Sequence, residues 1–221
     1  MIKPLLLITP THSEYTAVRA ALADRLVEGR LELVKCGMGM AAAAALCQRL
    51  ERSGWTGSMV LLGWAGGLSP DLAAGDCVVA DAAVDSDGRR VSLATPELPG
   101  ATVGPLLCVD TPLLTPQAKH DAWLSGALAV EMEAYPLAVW AAARPAPFIH
   151  ARVILDTVDE ALPDLGDALD AQGRVRPVRL AARLVARPRT ALSLLWLARR
   201  VRALDQALGA LARAVVALVA E

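Results

Sequence analysis

Aromatic side chains are scarce in this 221-residue chain: they make up 4%, with one Phe and two Tyr. That scarcity argues against a surface that stacks nucleic-acid bases, because no aromatics interleave the arginines of the C-terminal region. Cysteine is thin as well. Cys36, Cys47, Cys77 and Cys108 form no C-x-x-C pair and sit in apolar surroundings. A core of this size folds without disulfides, so a cytoplasmic setting is expected. His12, His120 and His150 have no ligand spacing to cysteines or acids, so neither a metal nor another cofactor is expected. Long apolar runs are missing too. Thr190–Ala198 is closed by Arg199 and Arg200, short of the ~18–20 residues a membrane span needs. Pro4–Ile8 is too short for the core of a secretory leader.

Net charge is nearly absent at −1, yet it is unevenly spread. Residues 174–221 hold ten arginines against Asp205 and Glu221, a local +8 that leaves −9 for residues 1–173. An acidic body with a basic tail divides the chain into an α/β domain, 1–173, and a basic amphipathic helical extension, 174–221. In the tail, Arg176, Arg179, Arg183 and Arg187 share one helix face. Pro188 breaks that helix, and Thr190 can cap a longer one whose apolar residues are Leu192, Leu195, Trp196, Val201 and Leu204. The tail has two readings: helices packed on the domain with arginines in water, or a peripheral contact with anionic lipid headgroups.

The body alternates short apolar runs with helical patterns. Leu5–Ile8, Arg30–Lys35, Met59–Leu62, Asp76–Ala83, Pro105–Val109, Ala127–Glu131 and Phe148–Leu155 are expected strands. Helices are expected from a Ser13 cap to about Val27, after Gly39 to about Arg52, and over Tyr135–Ala143. This alternation predicts a three-layer α/β sandwich with a central mixed, mostly parallel sheet. Ligands of such sheets collect at the carboxyl ends of the strands, where Glu14, Trp64, Glu131, Glu133 and Asp156 fall. Gly37-Met38-Gly39-Met40-Ala41-Ala42 matches a loose dinucleotide fingerprint, but it follows the second strand and lacks the downstream acid. A tight turn is the better reading. Val130-Glu131-Met132-Glu133-Ala134 places two acids where an apolar strand gives way to a helix, and such charges need partners. His150-Ala151-Arg152-Val153-Ile154-Leu155-Asp156 carries an Arg inside a buried strand that ends on an acid.

Taken in order, Gly63-x-Ala65-Gly66-Gly67-Leu68, Gly75-Asp76-x-Val78-Val79, the Val130–Ala134 segment and Arg152-x-x-x-Asp156 resemble the purine nucleoside phosphorylase and methylthioadenosine/adenosylhomocysteine nucleosidase superfamily. The resemblance covers roughly residues 4–160. The short 88–128 segment, Val109-Asp110-Thr111-Pro112, Thr115-Pro116 and the arginine-rich tail after Asp170-x-x-Gly173-Arg174-Val175 are similar to the hopanoid-associated phosphorylase (adenosylhopane nucleosidase) branch.

The resemblance implies cleavage of an N-glycosidic bond through an oxocarbenium-like transition state. It makes Asp156 the acid that serves the purine N7, Glu14 the acid that activates water, and Arg152 the group that orients them. It puts Glu133 on the ribose hydroxyls, Met132 beneath the sugar, and Pro112 and Leu113 along the base slot. Glu131, Trp64, Ala65 and Gly66 are substrate-binding candidates beside them. Three residues depart from the family pattern. Trp64 replaces a small hydroxyl residue that contacts phosphate, which favours hydrolysis over phosphorolysis. Pro112 replaces the aromatic that stacks on the base, leaving Trp64 or Trp123 for that role. Leu155 replaces the Ser that precedes the acid in the nucleosidases. The implied substrate is a 5′-modified purine nucleoside, including a lipid-linked adenosine, and the implied assembly is a homodimer. A methylthioadenosine/adenosylhomocysteine nucleosidase, a phosphorylase and a nucleoside-binding protein of weak turnover are the alternatives.

Overall fold

The computed structural model describes residues 4–26, 31–144, 147–168, 170, 176, 179–180 and 190–219. An eight-stranded mixed sheet lies between two layers of helix, as the alternation of elements predicts. The strands are β1 (Leu5–Thr9), β2 (Leu31–Lys35), β3 (Ser58–Gly67), β4 (Cys77–Val84), β5 (Arg90–Ser92), β6 (Ala101–Cys108), β7 (Ala129–Glu131) and β8 (Phe148–Asp156). The helices are α1 (His12–Ala21), α2 (Met40–Ser53), α3 (Pro116–Trp123), α4 (Ala134–Ala142) and α5 (Thr190–Val219). Strand β5 and helix α3 are additions to the elements expected from the sequence.

Period-two alternation sorts the central strands between two cores. Leu5 and Leu7 of β1, with Val60 and Leu62 of β3, face α1 and α5, where they meet Val18, Leu22, Leu208 and Leu211. Leu6 and Ile8, with Met59 and Leu61, face α2 and α4 and pack on Leu46, Leu50, Leu137 and Ala138. Both faces are covered, so these strands are continuous apolar runs rather than alternating ones. Each such Leu or Ile removed from water is worth ~1.5–3 kcal/mol.

Strand β8 is parallel to β3 on one side and antiparallel to β4 on the other. Strands β4, β6 and β7 lead back to β3 through a parallel pair, a second parallel pair and an antiparallel pair. Five strands therefore close a ring, β3–β8–β4–β6–β7.

Three local expectations are corrected. Helix α1 is capped by Thr11, not Ser13: Thr11 and Glu14 form a capping box in which each side chain takes the other's backbone N–H. The expected strand Met59–Leu62 is only part of ten-residue β3, which runs on through Gly63–Gly67. Small residues are needed there because β3 runs directly beneath charged groups. A Cβ on Gly63 would lie 2.4 Å from Glu14 Oε1 and 2.5 Å from Arg152 Nη1. The third correction concerns α5. Its buried face is Leu208, Leu211, Ala212, Val215 and Val216, whereas Leu192 and Leu195 are 74% and 48% exposed. The apolar face picked from the first half of this helix belongs instead to its second half. Arg174, Arg183, Arg187 and Pro188 lie outside the described residues.

Gly37 and Gly39 both have positive φ, 96° and 87°, as the tight-turn reading of that segment requires. Gly39 is the N-cap of α2.

Candidate active site

The carboxyl ends of β3, β7 and β8, with the start of α1, surround a cleft of about 210 Å³. Every residue proposed above as catalytic or substrate-binding borders it, from Glu14 on α1 to Asp156 at the tip of β8. Trp64 lines the cleft without closing it, because its side chain packs against the apolar cluster shared by β3, α1 and α5. Trp123 does not reach the cleft; it packs in a separate cluster with Leu107 and Ala127.

Arg152 is 1% exposed and organises one end of the cleft. Its Nη2 donates to Glu131 Oε2 at 2.6 Å and to Glu133 Oε2 at 3.1 Å. Its Nη1 donates to the Trp64 carbonyl at 3.2 Å and lies 3.9 Å from Glu14 Oε1. Its Nε donates to His150 Nε2 at 2.9 Å. Burial lowers the His150 pKa to about 3, with the Arg152 charge adding to it against the pull of Glu131. His150 is thus a neutral acceptor that fixes the guanidinium plane, and its proton sits on Nδ1.

One guanidinium serves three buried carboxylates, and they do not share it equally. Glu131 also accepts the backbone N–H groups of Glu133 and Ala134, both at 2.9 Å, at the start of α4. Burial works against its charge, but Arg152 and the amide donor outweigh that and hold its pKa below the ordinary value. Glu133 has the Gly39 N–H at 2.8 Å and its share of Arg152. Burial, together with the neighbouring Glu131 and Glu14 charges, pushes its pKa up to about 7. Glu131 is committed to anchoring Arg152, while Glu133 is the acid whose proton is available near neutrality. Glu14 is held rigidly: Oε2 accepts from the Thr11 backbone at 2.7 Å and hydroxyl at 2.6 Å, and Oε1 accepts the Trp64 N–H at 2.8 Å.

At the other end, burial raises the Asp156 pKa against the opposing Lys119 charge. The Lys119 ammonium reaches Asp156 Oδ2 in a buried ion pair that the sequence reading missed. Helix α3 brings it there, opened by a Thr115 cap and Pro116 in the first turn.

A second cavity of about 810 Å³ adjoins the cleft and shares Met38, Pro112, Met132, Leu155 and Leu162 with it. It extends towards Leu165 and Leu197 of α5. Among the described residues no group of three His, Cys, Asp or Glu is arranged to hold a metal ion.

Residues 9–100 match the family model of the phosphorylase superfamily. The fold is shared with solved nucleosidases. Among solved structures, the Helicobacter pylori 5′-methylthioadenosine/S-adenosylhomocysteine nucleosidase superposes with a TM-score of 0.61 at 16% identity, over 72% of this chain and 87% of that one. The Streptococcus pyogenes S-adenosylhomocysteine nucleosidase gives 0.61 at 22% identity, over 72% and 85%. Helicobacter pylori futalosine hydrolase gives 0.62 at 16% identity, over 72% and 87%. No curated protein matches the chain in sequence.

Proposed function

We propose that this phosphorylase-superfamily protein hydrolyses the N-glycosidic bond of a 5′-modified purine nucleoside and releases adenine, with a lipid-linked adenosine such as adenosylhopane, of hopanoid biosynthesis, as its substrate. The observation that carries the reading is the convergence of Glu14, Glu133 and Asp156 on one cleft at the carboxyl ends of the strands. Glu14, its carboxylate fixed by Thr11 and Trp64, takes a proton from the attacking water. Glu133 accepts the ribose hydroxyls, and its interaction strengthens as positive charge develops on the sugar. Met132 packs beneath the ring, and the base lies along Pro112 and Leu113 towards Asp156, which serves its N7.

Hydrolysis rather than phosphorolysis is supported at Trp64. Its N–H is taken by Glu14 and its carbonyl by Arg152, so this residue has neither a hydroxyl nor a spare amide for phosphate. The second cavity, largely apolar but also lined by Asp110, Asp164 and Asp170, supports a bulky 5′ group, since it opens beside the sugar-proximal Met132 and runs on to α5. The basic tail supports presentation of such a substrate at an anionic membrane surface, with the chain cytoplasmic and peripheral; no described helix is long and apolar enough to cross a membrane. A homodimer completes the proposal.

Free adenine is to be assayed with methylthioadenosine, adenosine and a 5′-long-chain-alkyl adenosine, each with and without phosphate. Release independent of phosphate and fastest for the alkyl nucleoside is expected. Release requiring phosphate would overturn hydrolysis, and preference for methylthioadenosine would favour the small-nucleoside reading that the superposed nucleosidases support. Flotation with anionic vesicles tests the tail, with binding expected at low salt and lost at high salt. Sedimentation tests the dimer.

A further inference from the structure

Lys119 is 0% exposed, and no part of the proposed reaction has yet used it. Placing an ammonium fully out of water costs several kcal/mol unless its donors are met. Here all three are met on one segment: Asp156 Oδ2, the Thr157 carbonyl at 2.9 Å and the Glu160 carbonyl at 2.5 Å. Asp156 borders the cleft and Lys119 does not, so the ammonium stands behind the acid, on the side away from substrate. A carboxylate paired in this way with a cation is a poor proton donor by itself. The pair, however, sets an Nζ–H of Lys119 directly against the carboxyl oxygen, from which a proton can pass on to a base in the cleft.

We propose that Lys119 is a positioning residue that acts through Asp156, holding the carboxyl against the purine and supplying the proton that the base takes away. This rests on the nucleosidase reading of the cleft. As the C1′–N9 bond breaks, its electron pair goes to the purine and N7 takes a proton from Asp156. That proton reaches the carboxylate from Lys119 Nζ, which is left as a neutral amine. Water forms the new C1′–O bond and gives its proton to Glu14. Solvent then reprotonates the amine and deprotonates Glu14, so no proton is created or lost.

The charged surroundings are complementary to this cycle. Glu160 bridges the Thr157 N–H at 2.9 Å and Arg200 of α5 at 2.5 Å, and Asp159 pairs with His120 at 3.0 Å on the outer side. Across the cleft stand Arg152 with Glu14, Glu131 and Glu133. None of these competes for the Lys119 donors.

The test uses two leaving groups: a purine nucleoside, which needs N7 protonation, and a 4-nitrophenyl riboside with the same 5′ group, which leaves as a stable anion. Lys119→Met should cut the purine-to-aryl kcat ratio by about a hundredfold with KM little changed. The ratio is insensitive to any fraction of unfolded protein. Lys119→Arg keeps an ion pair but a guanidinium does not release its proton, so the ratio should stay low. Restoration by Arg would reduce Lys119 to a structural tether. If Asp156→Asn leaves the ratio unchanged, the acid assignment of the functional reading fails too. If Asp156→Asn lowers it and Lys119→Met does not, only the present proposal falls.

Discussion

The two ends of the cleft solve the same electrostatic problem in opposite ways. Around Arg152, one cation is divided among Glu14, Glu131 and Glu133, and the backbone supplies what the guanidinium cannot. Around Asp156, one cation is given to one acid, and its remaining donors go to carbonyls. The first arrangement is short of positive charge and leaves Glu133 able to take a proton near neutrality. The second is balanced, one ammonium against one carboxylate. A site that must bind a developing cation gains from the shortage, and a site that must hand over a proton gains from the balance.

The contrast is broken most severely by Arg152→Met. Three buried carboxylates would lose the cation they share, and uncompensated buried charge costs on the order of 3–5 kcal/mol. Urea denaturation should show that loss as a lower midpoint with little change in slope. An unchanged midpoint would mean that the backbone donors alone hold the cluster.

Glu133→Gln sharpens the comparison. The folded Glu133 pKa stands near 7 against an ordinary value of 4.5. Between those values the folded protein keeps a proton that the unfolded chain has released. The stability from this group is therefore complete below about pH 4.5 and is lost as pH rises through 7. Glutamine removes that loss, so the variant should gain relative to the parent between pH 5 and pH 8, by on the order of 2–3 kcal/mol. Thermal melts at the two pH values check it. Nucleoside affinity at pH 8 should fall in the same variant, because the ribose hydroxyls lose a charged acceptor.

The smallest effect belongs to Arg200→Ala, which cuts the tie between α5 and Glu160. The pair is partly exposed, so its removal should cost at most about 1 kcal/mol. A drop in kcat without a matching drop in stability would show that the loop after Asp156 needs α5 to hold its place.

Much of the Arg152 end was legible because each of its acids breaks an apolar pattern. Glu131 and Glu133 interrupt a strand-to-helix junction, and Arg152 sits in a run that otherwise reads as buried. Lys119 carries no such signal. It lies in Gln117-Ala118-Lys119-His120-Asp121, which has the composition of a solvated helix face, and its partner is 37 residues away. The Thr115-Pro116 start of α3 was the available clue, since a hydroxyl cap followed by Pro announces a helix, but it does not say which face is buried. The glycine run misled for a different reason. Gly63 and Gly66 punctuate turns in most chains, yet here they lie within β3 and leave room for Glu14, Arg152 and Asp156. Likewise, the cap of α1 was placed two residues too late because the Thr11-x-x-Glu14 box overlaps the proposed catalytic acid itself.

Closure of the five-strand ring has one more consequence. Strand β8 carries both Arg152 and Asp156, and it has a neighbour on each side throughout its central residues. Such a strand offers no edge from which to fray, so its amides can meet solvent only when the domain opens as a whole. Deuterium should therefore enter Ala151–Val153 more slowly than α5 or the 157–168 segment. The groups that do the chemistry would then ride on the slowest-exchanging part of the molecule, while substrate entry and product departure draw on the faster parts around it.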